Sequence, residues 1–245
     1  MSLLTVISGT LARLALPTTT AVIDSTDATV RQLLQLAQRE GRELARRATW
    51  KALQTEKTFT TVATAAQTSA LPTDLDWIIP DTMFNRTLKR RVQGPVGADE
   101  WQLIQSSLSS SVFPAFRIRG TSLLITPTPT AGQTVAYEYM SKYWCASSAG
   151  SGQTAWAADA DTALLDEELI TSGLVWRFKA AKGLGYAADQ QAYEIQVMQA
   201  IMREGVRPRI STDPMARFNK RGADAIAGAR PDVIVTEAGD FVGWD

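Results

Sequence analysis

The sequence predicts an α+β fold, in which a helical bundle built from both chain ends carries an inserted antiparallel β domain and an extended C-terminal arm. Three observations predict it. Apolar residues recur every three or four positions towards both ends, as on the buried face of an amphipathic helix. The middle of the chain is rich in threonine and in alternating apolar residues, which is typical of antiparallel strands. Residues 207–245 show neither period.

Two helices are predicted over residues 1–48. The first carries apolar residues at helical spacing, namely Leu3, Leu4, Ile7, Leu11 and Leu14. It should end before Pro17, because the residue before a proline avoids helical dihedral angles. Asp27 has the side chain of an N-cap for the second helix. The apolar residues of that helix share one face and are Val30, Leu33, Leu34, Ala37, Leu44 and Ala48.

The inserted β domain is predicted over residues 49–146. Residues 58–64 alternate between apolar and polar side chains, and the segment that ends at Leu71 is expected to pair with them. Gly120 lies between two short apolar runs, which indicates a hairpin. A further strand is expected over residues 133–143, where apolar residues again alternate with polar ones.

The second half of the bundle is predicted over residues 160–206, after a flexible loop at residues 147–159 that is rich in serine and glycine. Asp161 or Thr162 is expected to cap the third helix, and Gly183 to separate it from the fourth. Two helices at each end can bury their apolar faces only against one another. The expected shared core includes Leu34, Leu44, Leu169, Trp176, Tyr193 and Val197.

The composition argues against catalysis. The 245 residues include no histidine and a single cysteine, Cys145. The chain therefore lacks the commonest general base and the commonest metal ligand, and it cannot build a cysteine-rich zinc site. We expect no enzyme activity, no cofactor and no metal. A carboxylate site for Mg²⁺ or Ca²⁺ stays open as an alternative. Acidic residues cluster at three places, namely Asp74, Asp76 and Asp81, Asp99 and Glu100, and residues 166–168.

The charge balance argues against strong binding of nucleic acid. The chain has 25 basic and 25 acidic residues, so its formal charge is zero. One local run is basic and consists of Arg86, Lys89, Arg90 and Arg91. It predicts either a solvated strand face or, where copies form a ring, a surface that faces DNA in a channel. No apolar run approaches the roughly 20 residues needed to cross a bilayer, and the N-terminus has no basic start of a signal peptide, so we expect assembly in the cytoplasm without a membrane partner.

Three stretches of the sequence resemble the head-to-tail adaptors of tailed bacteriophages. The first is Trp50-x-x-Leu53, which leads into Glu56-Lys-Thr-Phe-Thr-Thr. The second is Leu71-Pro-Thr-Asp-Leu-Asp, and the third is the hairpin from Ile118 that ends in Pro-Thr-Pro-Thr-Ala-Gly. The chain is similar in particular to the adaptors of the tail tubular protein A type, also called gatekeepers or head-completion proteins, over roughly residues 1–206.

The resemblance implies a structural virion protein at the head-tail junction. It implies a homo-oligomeric ring, a dodecamer in this family, that lies beneath the portal protein and extends the DNA channel. The ring would dock the tail nozzle or tail tube protein and would contact passing DNA transiently and without sequence preference. Two alternatives are a minor tail or baseplate ring protein and a carbohydrate-active β protein that uses carboxylates.

The extended C-terminal arm over residues 207–245 departs from the family pattern. It is too poor in periodic apolar residues to fold alone, yet it contains aromatic and basic side chains of the kind that dominate interfaces. We expect it to dock on the portal or on a neighbouring subunit. The alternative is a tail without a role. The candidate docking residues are Arg207, Arg209, Met215, Arg217, Phe218, Lys220, Arg221, Phe241 and Trp244.

Overall fold

Helices and antiparallel sheets make up the protein, and the mixed α+β class that the sequence predicts is confirmed. The structure is a computed structural model that describes residues 2–106 and 114–204. Met1–Glu204 forms one compact unit. The predicted arm at residues 207–245 lies outside the described residues.

Five α-helices lie within the described ranges. They are α1 (Leu3–Arg13), α2 (Ala28–Arg47), α3 (Ala98–Ser106), α4 (Glu167–Ala181) and α5 (Ala187–Glu204). Helix α4 is central, since α1, α2 and α5 all pack on it. The helices therefore come together from both ends of the sequence, around a core that buries Leu44, Leu169, Tyr193 and Val197. Leu34 and Trp176 are partly buried against that core.

The helix caps agree with the sequence at α2 and differ at α4. The Asp27 carboxylate accepts a hydrogen bond from the amide of Thr29 at 2.7 Å, as an N-cap does. Helix α4 is capped by Asp166 and not by Asp161 or Thr162, so that prediction is wrong. Asp161 instead accepts hydrogen bonds from the amides of Ala157 and Ala158. The chain forms a strand before it turns into α4, and this delays the start of the helix.

Eleven short strands form the sheets of the described residues. They are β1 (Gln54–Thr60), β2 (Ala66–Gln67), β3 (Leu75–Ile78), β4 (Phe84–Asn85), β5 (Arg90–Arg91), β6 (Ala115–Arg119), β7 (Ser122–Thr126), β8 (Thr134–Ser141), β9 (Cys145–Ala146), β10 (Gly152–Gln153) and β11 (Thr162–Ala163). Strand β8 is the centre of the largest sheet and pairs with β1, β3 and β4, while β5 extends β4. Strands β2, β7 and β6 form a second sheet, and β10, β9 and β11 form a third.

The pairing of β1 differs from the prediction. The sequence predicts the segment before Leu71 beside it, but β1 pairs along its whole length with β8, where Phe59 lies opposite Val135. The expected partner segment contributes only β2, which pairs with β7. A long, buried β8 offers a full ladder to β1, and a two-residue strand cannot. The hairpin of β6 and β7 around Gly120 is confirmed, and Gly120 has the positive φ of 60° that its turn requires.

Strand β8 contributes to two hydrophobic clusters, the helical core and the sheet core. Met140 belongs to the helical core, together with Trp50, Trp144 and Trp156. Val135, Tyr137 and Tyr139 belong to the sheet core. One strand thus connects the helices with the sheets.

Residues 147–159, for which the composition predicts a flexible loop, make specific contacts. Trp156 is buried, and its ring meets that of Trp144 edge-on with centroids 4.6 Å apart. The Asp159 carboxylate accepts hydrogen bonds from the amides of Val22 and Ile23, the latter at 2.8 Å. Only the tip of this segment is rich in serine and glycine. The buried ring of Trp156 packs the remainder of the segment against the helical core.

A buried charge network joins α2, α4 and α5. The guanidinium of Arg177 donates to the carboxylates of Glu40 and Glu43, the latter at 2.6 Å, and the Tyr193 hydroxyl donates to Glu40. Glu40 is fully buried. A Cβ atom at Gly173 would lie 2.5 Å from the Glu40 carboxyl, so glycine is needed there. Burial, followed by the charge of Glu40, raises the pKa of Tyr193, so its hydroxyl stays protonated and donates.

The two carboxylates of this network differ in burial, which gives a matched pair of variants. Glu40→Ala removes one of the two carboxylates that pair with the buried Arg177. It also removes the hydrogen-bond acceptor of the Tyr193 hydroxyl. We expect it to lower the free energy of unfolding by about 3–5 kcal/mol. Glu43→Ala removes a carboxylate that is 40% exposed, and we expect a loss of at most about 1 kcal/mol. Urea denaturation followed by circular dichroism measures both, and equal losses would contradict the assigned role of Glu40.

The buried thiol of Cys145 gives a second prediction. Burial, with a smaller contribution from the charge of Asp161, raises the pKa of Cys145 to about 12. The thiol therefore stays neutral near pH 8, and the native protein should not react with iodoacetamide at that pH. Mass spectrometry should find one modified thiol only after unfolding. Ser148→Cys, in the exposed tip of the following turn, is the positive control, and rapid native labelling of Cys145 would contradict the prediction.

Candidate interaction surfaces

Two of the acidic residues that left a metal site open, Asp74 and Asp81, are engaged with protein groups. Asp74 accepts hydrogen bonds from the hydroxyls of Tyr139 and Ser141, at 3.1 and 2.7 Å. Burial and this hydrogen bond raise the pKa of Tyr139 to about 12. Asp81 forms an ion pair with Arg91. Residues 2–106 and 114–204 contain no cluster of three carboxylate or cysteine side chains that could hold a metal, and no helix within them is both long and apolar enough to span a bilayer.

The basic run of the sequence lies in one hairpin, which we call the basic hairpin (residues 84–91). Strands β4 and β5 form its arms, and residues 86–89 form its turn. Arg86 pairs with Glu56 on β1 at 2.9 Å, and its hydrogen bond lowers the pKa of that carboxyl. Lys89 and Arg90 are exposed. The structure therefore brings the four predicted cations together, with carboxylates beside Arg86 and Arg91.

The basic hairpin also exposes apolar side chains. Phe84 is 46% exposed and Leu88 is 52% exposed. A pocket of about 180 Å³ lies between the hairpin and the loop at residues 127–130, and Leu88 and Arg90 line it. Exposed aromatic and cationic groups beside an apolar pocket are typical of a protein interface. The basic hairpin therefore has the apolar features of a protein-binding surface as well as the cations of a charged surface.

Helix α5 has an exposed apolar face that the sequence analysis missed. Its inner side buries Tyr193 and Val197, whereas Ile195, Met198 and Met202 are 50%, 59% and 71% exposed. The sequence of α5 contains a second set of positions with the same helical spacing, on the side of the helix away from the buried set, and this set could have indicated the exposed face. We call the exposed set the outer seam, and its positions are Ala188, Gln191, Ile195, Met198 and Met202.

A groove between α1 and α4 is a further candidate surface. Its volume is about 530 Å³, and Thr5, Gly9 and Leu165 are among the residues that line it. Arg13 and Glu168 also line it, and Arg13 donates to both carboxylate oxygens of Glu168 at 2.7 Å. No sequence signal distinguished these residues, because the groove arises only when the two helices pack. We call it the α1–α4 groove.

The candidate docking residues of the arm lie outside the described residues. They are Arg207, Arg209, Met215, Arg217, Phe218, Lys220, Arg221, Phe241 and Trp244. Their role therefore stays a prediction from the sequence.

Comparison with known proteins identifies the family. A model of the family described as SU10 adaptor protein matches residues 1–229, which include the whole described part of the chain and the basic first half of the arm. The prediction that the chain departs from the family at residue 207 is therefore wrong for residues 207–229. None of the curated proteins compared with the chain matches it. The match covers well over half of the chain and agrees with the resemblance drawn from residues 50–132. The chain therefore belongs to the SU10 adaptor protein family and is a structural head-to-tail adaptor of bacteriophage.

Proposed function

We propose that the protein forms a ring of identical subunits beneath the portal, extends the DNA channel and offers a docking face to the tail nozzle or tail tube. The family match over residues 1–229 is the observation that carries the proposal. An adaptor must bind two different partners as well as its own copies, so its subunit needs several separate surfaces. The basic hairpin belongs to the sheets, whereas the outer seam and the α1–α4 groove belong to the helices.

The charge of the basic hairpin suits a surface that DNA passes. Two of its four cations, Arg86 and Arg91, pair with carboxylates, and the overall charge of the chain is zero. Strong cationic binding would hold the phosphate backbone, whereas DNA in a channel must slide. We propose that Lys89 and Arg90 make weak, salt-sensitive contacts with passing DNA, without sequence preference.

The arm supplies the contact with the portal in this proposal. Its first part, residues 207–221, is rich in arginine and lysine and contains the anchors Met215 and Phe218. Such a segment can order on an acidic partner surface and wrap a large area. The family match ends at residue 229, so Phe241 and Trp244 lie beyond the part that the family shares.

Two truncations test the ring and the arm together. Full-length protein mixed with purified portal should form rings with an axial hole on the portal in negative-stain images. Deletion of residues 207–245 should leave the unit Met1–Glu204 folded by circular dichroism and abolish its addition to the portal. Deletion of residues 230–245 is the matched control and should weaken addition without abolishing it. If the protein that lacks residues 207–245 still binds the portal at the wild-type level, the docking role of the arm is contradicted. If the full-length chain does not bind the portal, the proposed function is contradicted.

Neutralisation of the exposed cations tests the channel contact. The double variant Lys89→Gln and Arg90→Gln should assemble on the portal as the wild type does. The salt dependence of double-stranded DNA binding by the assembled complex should become shallower, by about 1 in the log–log slope for each phosphate that the protein no longer neutralises. Fluorescence anisotropy of a labelled duplex measures it. The control, Arg42→Gln and Arg46→Gln on the exposed face of α2, should keep the wild-type slope, and an identical slope in the hairpin variant would contradict the channel assignment.

A further inference from the structure

The basic hairpin is held in place by hydrogen bonds of its own subunit. Asn85 is buried, and its side chain accepts a hydrogen bond from the amide of Leu88 at 2.9 Å and donates one to Gln133 at 2.7 Å. The amide of Thr134 donates to the hydroxyl of Thr87 at 2.9 Å. These bonds tie the turn of the hairpin to the start of β8. A partner therefore meets a surface that is already ordered, which lowers the entropic cost of binding.

The pocket beside the basic hairpin combines apolar side chains with a cation. Leu88, Pro127 and Pro129 line it, and Arg90 is the one charged residue among the described residues that do so. Lys89 precedes Arg90 and is exposed, and neither of the two pairs with a carboxylate of the described residues. An arginine side chain stacks on aromatic rings, and proline rings pack against them. The pocket thus suits an aromatic side chain that has carboxylates beside it.

Residues 230–245, which we call the acidic segment, have the complementary composition. They contain four carboxylates and one arginine. Within them, the run Asp240-Phe-Val-Gly-Trp-Asp has two aromatic side chains between two carboxylates. Residues 207–221 are basic instead. Of the two parts of the arm, the acidic segment is therefore the one that matches the basic hairpin in charge.

The length of the chain between α5 and the acidic segment favours a contact within one subunit. Residues 205–229 join the two. A linkage of this kind gives a segment an effective concentration on the order of millimolar. Exposed ion pairs are weak, so two of them with one aromatic side chain make a contact that such a concentration populates and that a larger interface displaces.

We propose that the acidic segment binds the basic hairpin of its own subunit until the subunit joins the portal. Trp244 enters the pocket, and the carboxylates beside it face Lys89 and Arg90. The inference rests on the proposed function, because these are the two cations assigned there to passing DNA, and it adds their regulation. Carboxylates and phosphates compete for the same cations. The free subunit therefore binds nucleic acid weakly, and docking of the arm on the portal releases the cations for DNA.

Trp244→Ala tests the contact in free, full-length subunits without portal. This change leaves the net charge unaltered and removes the aromatic anchor. It should tighten the binding of a labelled DNA duplex at low salt at least about threefold, because more subunits have free cations. In the background of Lys89→Gln and Arg90→Gln, the same change should leave the affinity unaltered. Equal affinities of the wild type and Trp244→Ala, or an equal gain in the neutralised background, would overturn the inference.

A matched pair of variants separates the contact from the effect of net charge. Asp240→Asn with Asp245→Asn should tighten DNA binding by the free subunit. Asp99→Asn with Glu100→Gln removes the same charge from the exposed start of α3 and should change the affinity less. Equal gains in the two variants would overturn the inference. If no variant binds DNA, the channel contact of the proposed function is contradicted, and cross-linking decides on the acidic segment alone.

Cross-linking in the free, full-length subunit identifies the occupant of the pocket directly. Thr128→Cys at the pocket and Gly243→Cys beside Trp244, treated with a short bismaleimide, should give an internally cross-linked monomer, since the buried thiol of Cys145 does not compete. In the control, Gln35→Cys on the exposed face of α2 replaces Thr128→Cys and should cross-link at least about tenfold more slowly. Mass spectrometry of the linked peptides measures both. Equal rates would overturn the inference, and cross-links between two subunits in place of internal ones would overturn it as well.

Discussion

The packing of the helices depends on the buried ion pair between Arg177 and Glu40. The side chain of Arg177 is 8% exposed and that of Glu40 is fully buried, so neither charge keeps its hydration. A charge buried without a partner costs several kcal/mol, so α2 and α4 can pack only in the arrangement that joins the two groups. Tyr193 adds a hydrogen bond from α5 to the same carboxylate. The network therefore fixes three helices with respect to one another.

Two glycines make room for this arrangement and connect it with the remainder of the subunit. Gly173 lets the Glu40 carboxyl approach α4, and Gly41 lets the ring of Trp144 lie against α2, where a Cβ atom would overlap it. Trp144 in turn donates to the carbonyl of Thr154 at 2.7 Å. The hydrogen bond from Tyr193 to Glu40 and the burial of Tyr193 and Val197 set the rotation of α5, so its apolar outer seam points away from the core. An adaptor needs faces that are held in this way, because a face that turns cannot match a partner.

The elements that the sequence predicted well are those fixed by local chemistry. Helical spacing identified the helices that now form the bundle, the side chain of Asp27 identified a cap, and Gly120 identified a hairpin. The elements that it did not predict depend on distant partners. Strand β1 selects β8 from more than 70 residues away, and this choice reflects the length and burial of β8 and not its position in the chain. Trp156 converts a segment of loop composition into a packed one in the same way.

Among the candidate surfaces, too, those formed by neighbours in sequence were predictable and those formed by distant residues were not. The basic hairpin was predictable because its cations are neighbours in sequence, but the carboxylates that pair with Arg86 and Arg91 come from other parts of the chain. The outer seam was missed because two sets of residues on α5 share one spacing, and only packing against α4 decides which set is buried. The α1–α4 groove has no sequence pattern at all, since two separate helices form it.

The position of the protein in complete phage particles tests the central claim most directly. Cryo-electron microscopy of the head-tail junction, with the subunit structure fitted into the density, measures it. The account predicts a ring of copies of this chain between the portal and the tail, with an axial channel wide enough for double-stranded DNA. Density for this chain at a distal baseplate, or its absence from the junction of infectious particles, would contradict the account.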